Sequence, residues 1–369
     1  MSSESESDYG LSHVPEAASI EAPKLDYLPK VPDGYRPKIG LIGAGGITEY
    51  HLRAYQAMGL DVVAICDIDR SRAESRAKEF YPESSVHEDF RDVLRRDDIE
   101  VVDITPHPAE RVEIVTEALE AGKHVLSQKP FVEDLDVGER LVELAEQKGF
   151  ILAVNQNGRW APHFRYLTQA VRAGLVGPVS SIDFSMQWDH TWTAGTPFEE
   201  IHHLLLYDFS IHWFDMMTVL LSGQRPERVF ASIQRASYQQ VKPPFLGQVV
   251  VDFPNTQAHL GLNAHVVWGQ LDRTTVVGHE GTLRATGPSL NEQSVDFWNE
   301  DGQAHLDLQG CWFENGFQGT MAELLSAIEQ KREPENSARN VLVGLELCFA
   351  AIASADSGEP KRPGEIRRL

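Results

Sequence analysis

Between Lys38 and Asn155 the chain alternates short apolar runs with amphipathic ones, and no other feature restricts its fold as tightly. Lys38–Ile42, Asp61–Cys66, Glu100–Thr105, His124–Ser127 and Ile151–Asn155 are short and largely apolar, as strands must be when both faces of a sheet are covered. The stretches between them, Ile47–Met58, Arg72–Phe80, Asp89–Arg95, Glu110–Ala121 and Leu135–Lys148, have the apolar spacing of helices, with a short Val86-His87 segment ahead of the third. Repeated β-α units of this length predict a parallel, doubly wound sheet. Ligands of such sheets bind at the carboxyl ends of the strands, so functional residues are expected there.

After Asn157 the pattern changes. A helix over Pro162–Ala173 precedes strand-like alternation at Ser180–Trp188, Arg228–Ser237, Gly247–Phe253, Gln257–Val267, Arg273–Gly278 and Gly281–Ala285. Turn residues such as Pro254-Asn255 separate these runs, which predicts an antiparallel or mixed sheet, and two helices, Phe317–Gln330 and Ser337–Ser354, close the chain. A single core stops growing near ~250–300 residues, and the chain has 369. The expected division is a tail and extended arm over 1–36, a first domain over 37–157 and a second over 158–369. The arm's apolar anchors, Leu25, Tyr27 and Leu28, suit either a partner subunit or the arm's own domain.

Composition narrows the functional classes. Apolar residues make up 42% of the chain, enough for a packed core, while 33 Lys plus Arg against 55 Asp plus Glu leave a formal charge of −22. Such a surface repels nucleic acid phosphates and anionic lipid, so neither is an expected partner. The three cysteines, Cys66, Cys311 and Cys348, show no C-x-x-C spacing, which suits a reducing cytoplasm. The first residues, acidic and polar, carry no secretion signal, and no run of ~18 apolar residues suggests a membrane span.

Gly43-Ala44-Gly45-Gly46-Ile47-Thr48 follows a strand and opens a helix, the context in which a glycine motif predicts dinucleotide binding. Gly43 permits the turn, Gly45 and Gly46 admit a pyrophosphate, and the amides from Ile47 and Thr48 open a helix N-terminus that favours anions. Thr48 takes the place of a small residue, so it either loosens helix packing or offers its hydroxyl to a phosphate. Asp67, about twenty residues on, is placed to accept the adenosine ribose hydroxyls. With Asp69 nearby, a 2′-phosphate is repelled and NAD is expected over NADP, although Arg70 and Arg72 could turn toward a phosphate. The strand ends at Thr105-Pro106 and Gln128-Lys129, together with Asn157, are expected to line the same groove.

Lys129 ends a buried strand and precedes Pro130, so its ammonium can polarise a substrate hydroxyl and stabilise a developing alkoxide. Asp208 and His212 lie four residues apart; if helical, they share a face, with Asp215 one turn further. Imidazole is a suitable base for a secondary alcohol, and the carboxylate could orient it or hold the substrate.

These residues carry a resemblance. The glycine loop, the run Gly122-Lys123-His124-Val125-Leu126-Ser127-Gln128-Lys129-Pro130, the segment Asn155–Pro162 and the spacing Asp208-x-x-x-His212-x-x-Asp215 resemble the Gfo/Idh/MocA family of sugar and inositol dehydrogenases. The resemblance runs from about Lys38 to the last helix. It implies a Rossmann domain followed by an α/β domain with a large open, mostly antiparallel sheet, and a homo-oligomer, dimer or tetramer. It also implies that Lys129, Asp208 and His212 are the catalytic lysine, the aspartate and the proton acceptor. Gln128 departs from the family's usual Glu, and Ser210 stands where Gly is common.

Sugars are bound by aromatic faces with polar hydrogen bonds, and Arg159, Trp160, His163, Trp188, His190, Trp192 and His203 offer that mixture near the expected cleft. Arg159 could pair with a carboxylate if the substrate is a sugar acid. No closed metal-ligand spacing is present, so no metal is expected. The expected activity is NAD-dependent oxidation of a secondary hydroxyl of a sugar, polyol or sugar acid, or reduction of the ketone. The alternatives are a net non-redox isomerase or glycoside-cleaving enzyme using bound NAD transiently, and a non-catalytic dinucleotide-binding sensor or structural subunit.

Overall fold

The structure is a computed structural model and describes residues 17–369. The first half is built from β1 (Lys38–Ile42), α1 (Thr48–Ala57), β2 (Asp61–Cys66), α2 (Arg70–Phe80), β3 (Ser85–His87), α3 (Phe90–Leu94), β4 (Ile99–Ile104), α4 (Pro108–Glu120), β5 (His124–Gln128), α5 (Leu135–Lys148) and β6 (Leu152–Asn155). Its strands form one parallel sheet in the order β3-β2-β1-β4-β5-β6. The order reverses between β1 and β4, which opens a crevice at the strands' carboxyl ends where ligands of this architecture bind. Caps start several helices where the sequence signals them: Asp69, Asp89 and Asp134 each accept a backbone N–H of the first turn.

A 3₁₀ turn (Asn157–Trp160) and α6 (Pro162–Arg172) lead to β7 (Val179–Gln187), then α7 (Ile211–Leu220) and seven further strands. These are β8 (Arg228–Gln234), β9 (Leu246–Asp252), β10 (Gln257–Asn263), β11 (Leu271–Gly278), β12 (Gly281–Ser289), β13 (Glu292–Asn299) and β14 (Gly302–Asp307). They form an open sheet in the order β14-β13-β12-β11-β7-β10-β9-β8, antiparallel except for the β7–β10 pair. The expected α/β architecture is therefore present, with β13 and β14 as strands beyond those read from the sequence.

The closing helices tie the two halves together. Phe317, Met321, Leu324 and Leu325 of α8 (Trp312–Gln330) pack into the core of the first sheet beside Ile39 and Leu41. Helix α9 (Ala338–Ser357) is apolar and long enough to cross a bilayer, yet 67% of its most apolar window is buried between α7, β8 and α5. The arm lies along its own chain. Ile20 donates its N–H to Gln303 at the sheet edge, Tyr166 donates its hydroxyl to Pro23, and Tyr35 reaches Glu100 of the first domain. Residues 1–16 of the tail lie outside the described part.

Candidate active site

The glycine loop closes as its sequence requires. Gly43 has φ +93°, and a Cβ there would lie 2.3 Å from the Thr105 hydroxyl, so only glycine suits this turn. Gly45 and Gly46 face open space, leaving the N-terminus of α1 accessible to a pyrophosphate. Asp67 is almost buried, one oxygen accepting the Ala44 N–H at 2.7 Å and the other the Asp69 N–H at 2.9 Å, which fixes the carboxylate beside the loop. Thr105 donates its hydroxyl to the Ile42 carbonyl. Thr48 donates its hydroxyl to the Gly45 carbonyl at 2.6 Å from a fully buried side chain, which ties the start of α1 to the turn. Arg70 and Arg72 pair along their own helix with Glu74 and Asp69, and Asp69 also caps α2. These features fit a dinucleotide.

Lys129 reaches across from the end of the first sheet to the second half. Its Nζ donates to the Asp208 carbonyl at 3.0 Å and to the Asp208 carboxylate at 3.2 Å, with both side chains about four-fifths buried. Asp208 does not lie on a regular helical face with His212, because Leu205–Phe209 forms a π-helical turn before α7. Ser210 closes that turn by donating both its N–H and its hydroxyl to the Leu205 carbonyl. The extra residue turns Asp208 toward Lys129, and its carboxylate makes no hydrogen bond to His212 among the described residues. His212 sits behind it, only 8% exposed, with Nδ1 buried beneath Gly158 and without a partner among the described residues. Burial, reinforced by the positive charge of Lys129, holds the imidazole well below its usual titration range and therefore neutral.

Asp215 and Arg159 form a buried pair of their own. The guanidinium meets both Asp215 oxygens, at 2.5 and 2.6 Å, and also donates to the Glu335 carbonyl. Arg159 is thereby removed from the cleft, because a buried arginine requires a carboxylate and finds one in the protein. Trp160 also turns inward, packed on Gly319 and beneath Arg165, and helps to join the domains. His163 is fully buried against Phe164 and Trp312, where burial pushes its titration down to about 3. His203 points away, its Nε2 on Asp356 at 2.6 Å.

The remaining aromatic residues form a wall near Asp208. Trp188 and His190 stack at 5.5 Å with an interplanar angle of 9°, and His190 meets the edge of Phe209 at 4.1 Å. Trp192, more than half exposed, leans on Phe198. Burial takes His190 down to about 4, so this wall presents a neutral ring. Phe198 and Phe209 extend it beyond the residues singled out in the sequence, as does Gly158, whose missing Cβ would lie 3.3 Å from His212 Nδ1 and 3.0 Å from Trp312. Gln128 and Asn155 lead down to His51, a fully buried histidine that the motif reading did not single out.

Comparison with known proteins settles the family. Residues 37–156 match the oxidoreductase family with the NAD-binding Rossmann fold, and residues 164–284 match the GFO/IDH/MocA C-terminal domain. The chain belongs to the Gfo/Idh/MocA oxidoreductase family. It is 26% identical to an uncharacterised oxidoreductase, YrbE, of Bacillus subtilis over 87% of this chain and 95% of that protein. It is 25% identical to the D-apiose dehydrogenase of Paraburkholderia graminis, over 90% and 91% of the two chains. An inositol 2-dehydrogenase of Salmonella typhimurium is 27% identical over 50% of this chain and 54% of its own. An oxidoreductase from Agrobacterium radiobacter, solved with NAD+, L-tartaric acid and magnesium, shares the fold with a TM-score of 0.81 at 19% identity, over 89% of this chain and 99% of that one.

Proposed function

We propose that the chain is an NAD-dependent dehydrogenase of a sugar or polyol, oxidising a secondary hydroxyl or reducing the matching ketone. The observation that carries this reading is the meeting of Lys129 with Asp208 beside a His212 kept neutral. The nicotinamide supplies the hydride acceptor when bound. His212 takes the hydroxyl proton through Nε2, the nitrogen not sealed under Gly158, while Lys129 donates to the same oxygen and stabilises charge that develops as the C–H bond breaks. Asp208 holds the lysine, and Trp188, His190 and Trp192 offer apolar faces to a sugar ring. A neutral substrate suits this cleft better than a sugar acid, since Arg159 is committed to Asp215.

Asp67 beside the loop, with Arg70 and Arg72 engaged elsewhere, supports NAD over NADP. The D-apiose and inositol dehydrogenases among its relatives support the substrate class. The family resemblance supports a homo-oligomer, which sedimentation would measure.

The test is spectroscopic. Purified protein, NAD and a panel of neutral sugars, polyols and sugar acids are expected to give reduced nicotinamide with one or more neutral members. Lys129→Ala and His212→Ala each lower kcat/KM on that substrate by ~10²–10⁴. Wild-type turnover in both variants overturns the roles. Substrate conversion without net reduced nicotinamide points to internal recycling of bound cofactor, and tight NAD binding without any conversion points to a sensor.

A further inference from the structure

Beneath Lys129 lies a chain of buried polar groups that the proposed chemistry does not use. Gln128 turns its side chain back so that Oε1 accepts the Lys129 N–H at 2.7 Å, while its Nε2 lies 2.9 Å from Nε2 of His51. Asn155 Nδ2 approaches the same ring nitrogen at 3.3 Å. On the other side of the ring, Nδ1 is 2.6 Å from Asp103, which also accepts the Tyr55 hydroxyl at 2.7 Å. His51, Asp103 and Asn155 have no exposed surface, and Gln128 is 6% exposed.

The polarity of this chain follows from its donors. A carboxylate can only accept, so Nδ1 carries the proton. An amide nitrogen can only donate, so Nε2 must be the acceptor. His51 is thus fixed in the Nδ1–H tautomer, and the Gln128 amide has one orientation that satisfies both neighbours, Oε1 toward Lys129 and Nε2 toward His51. The parts come from α1, β4, β5 and β6, so the chain joins the helix that follows the glycine loop to the backbone of the lysine.

We propose that the Asp103–His51–Gln128 relay is the positioning device for Lys129, and that Gln128 is an amide because His51 arrives with an acceptor nitrogen. A glutamate at 128 would still accept the Lys129 N–H, but its second oxygen would face a lone pair. His51 would then have to take a second proton and stand as an imidazolium between two carboxylates. The proposal rests on the dehydrogenase reading only for its kinetic arm.

Two measurements test it. Nitrogen-15 NMR of the His51 ring at neutral pH is expected to show an Nδ1–H, Nε2-unprotonated imidazole in the wild type and a doubly protonated ring in Gln128→Glu. A wild-type ring protonated at Nε2 overturns the relay whether or not any sugar is turned over. On a substrate identified as above, Gln128→Leu is expected to lower kcat ten- to a hundredfold. Gln128→Glu is expected to keep most of the wild-type kcat at neutral pH and to lose it as the pH rises far enough to deprotonate the ring, a pH dependence that simple loss of packing would not produce. Equal kcat in wild type and Gln128→Leu, or a Gln128→Glu profile parallel to wild type, overturns the positioning role. Circular dichroism melts of each variant separate misfolding from either result.

Discussion

At the residue scale, the neutrality of His212 depends in part on the positive charge of Lys129. Burial alone disfavours imidazolium, and the ammonium adds to that penalty, so His212 remains a free base where an ordinary histidine, near 6.5, would be half protonated. The acid limb of kcat/KM for oxidation is therefore expected below the ordinary histidine range. Lys129→Met removes the second cause but not the first. In that variant the His212 titration, followed by proton NMR, is expected to move up toward 6.5 without reaching it. An unchanged titration would show that the lysine charge is not felt at the imidazole. Lys129 and His212 were legible in the sequence because strand end, proline and spacing marked them. The role of Arg159 was not, since its partner Asp215 lies 56 residues away and no local pattern reveals a buried ion pair.

At the scale of elements, the candidate active site is set by two short irregular pieces instead of by the long helices and strands around them. The π-helical turn Leu205–Phe209 aims Asp208, and the 3₁₀ turn Asn157–Trp160 lets His212 and Trp312 approach the backbone at Gly158. Gly158→Ala would put a methyl 3.0 Å from Trp312 and 3.3 Å from His212, so one ring must shift. The rings need give by only a few tenths of an ångström, so the expected outcome is a fall in kcat of no more than ~10-fold, where misplacement near 1 Å would cost ~10², with NAD affinity unchanged by calorimetry. Gly43→Ala acts at the other end of the crevice. Its strained φ and its clash with Thr105 are expected to weaken NAD binding by at least tenfold in the same assay, while the melting temperature falls modestly. Regular elements were readable from periodicity, but the π turn was not: a single inserted residue leaves the apolar pattern of Leu204–Phe214 almost unaltered. Strands β13 and β14 escaped for another reason. Each buries few apolar side chains, Val295 and Phe297 in the first and Ala304 in the second, because they lie toward the sheet edge.

At the scale of the whole molecule, two buried groups oppose each other in the pH dependence of stability. His163 titrates near 3 when folded, against 6.5 as a free side chain, so the unfolded chain binds the extra proton and stability falls as pH drops from 6.5 toward 3. Asp272 behaves in the reverse sense. It is fully buried on β11, its Oδ2 without a partner among the described residues, and burial raises its carboxyl from 3.8 to about 7. The folded chain then holds a proton that the unfolded chain releases, so stability is lost as pH rises from 3.8 to about 7. Each group contributes a slope of ~1.4 kcal/mol per pH unit where it is active, and over the shared range, 3.8 to 6.5, the slopes nearly cancel. Asp272→Asn keeps the size of the side chain and its hydrogen-bonding capacity but removes the ionisation. It is expected to raise the melting temperature above neutral pH and to make the variant lose stability more steeply than wild type on acidification from pH 6.5 to 3.8. His163→Phe is expected to do the opposite, gaining stability on acidification from pH 6.5 to 3.8, because it removes the group that charges on unfolding and leaves only the Asp272 slope. Calorimetric melts of both single variants and the double variant across this range decide the matter: if the two slopes are independent, the double variant regains the flat profile of the wild type over the shared interval.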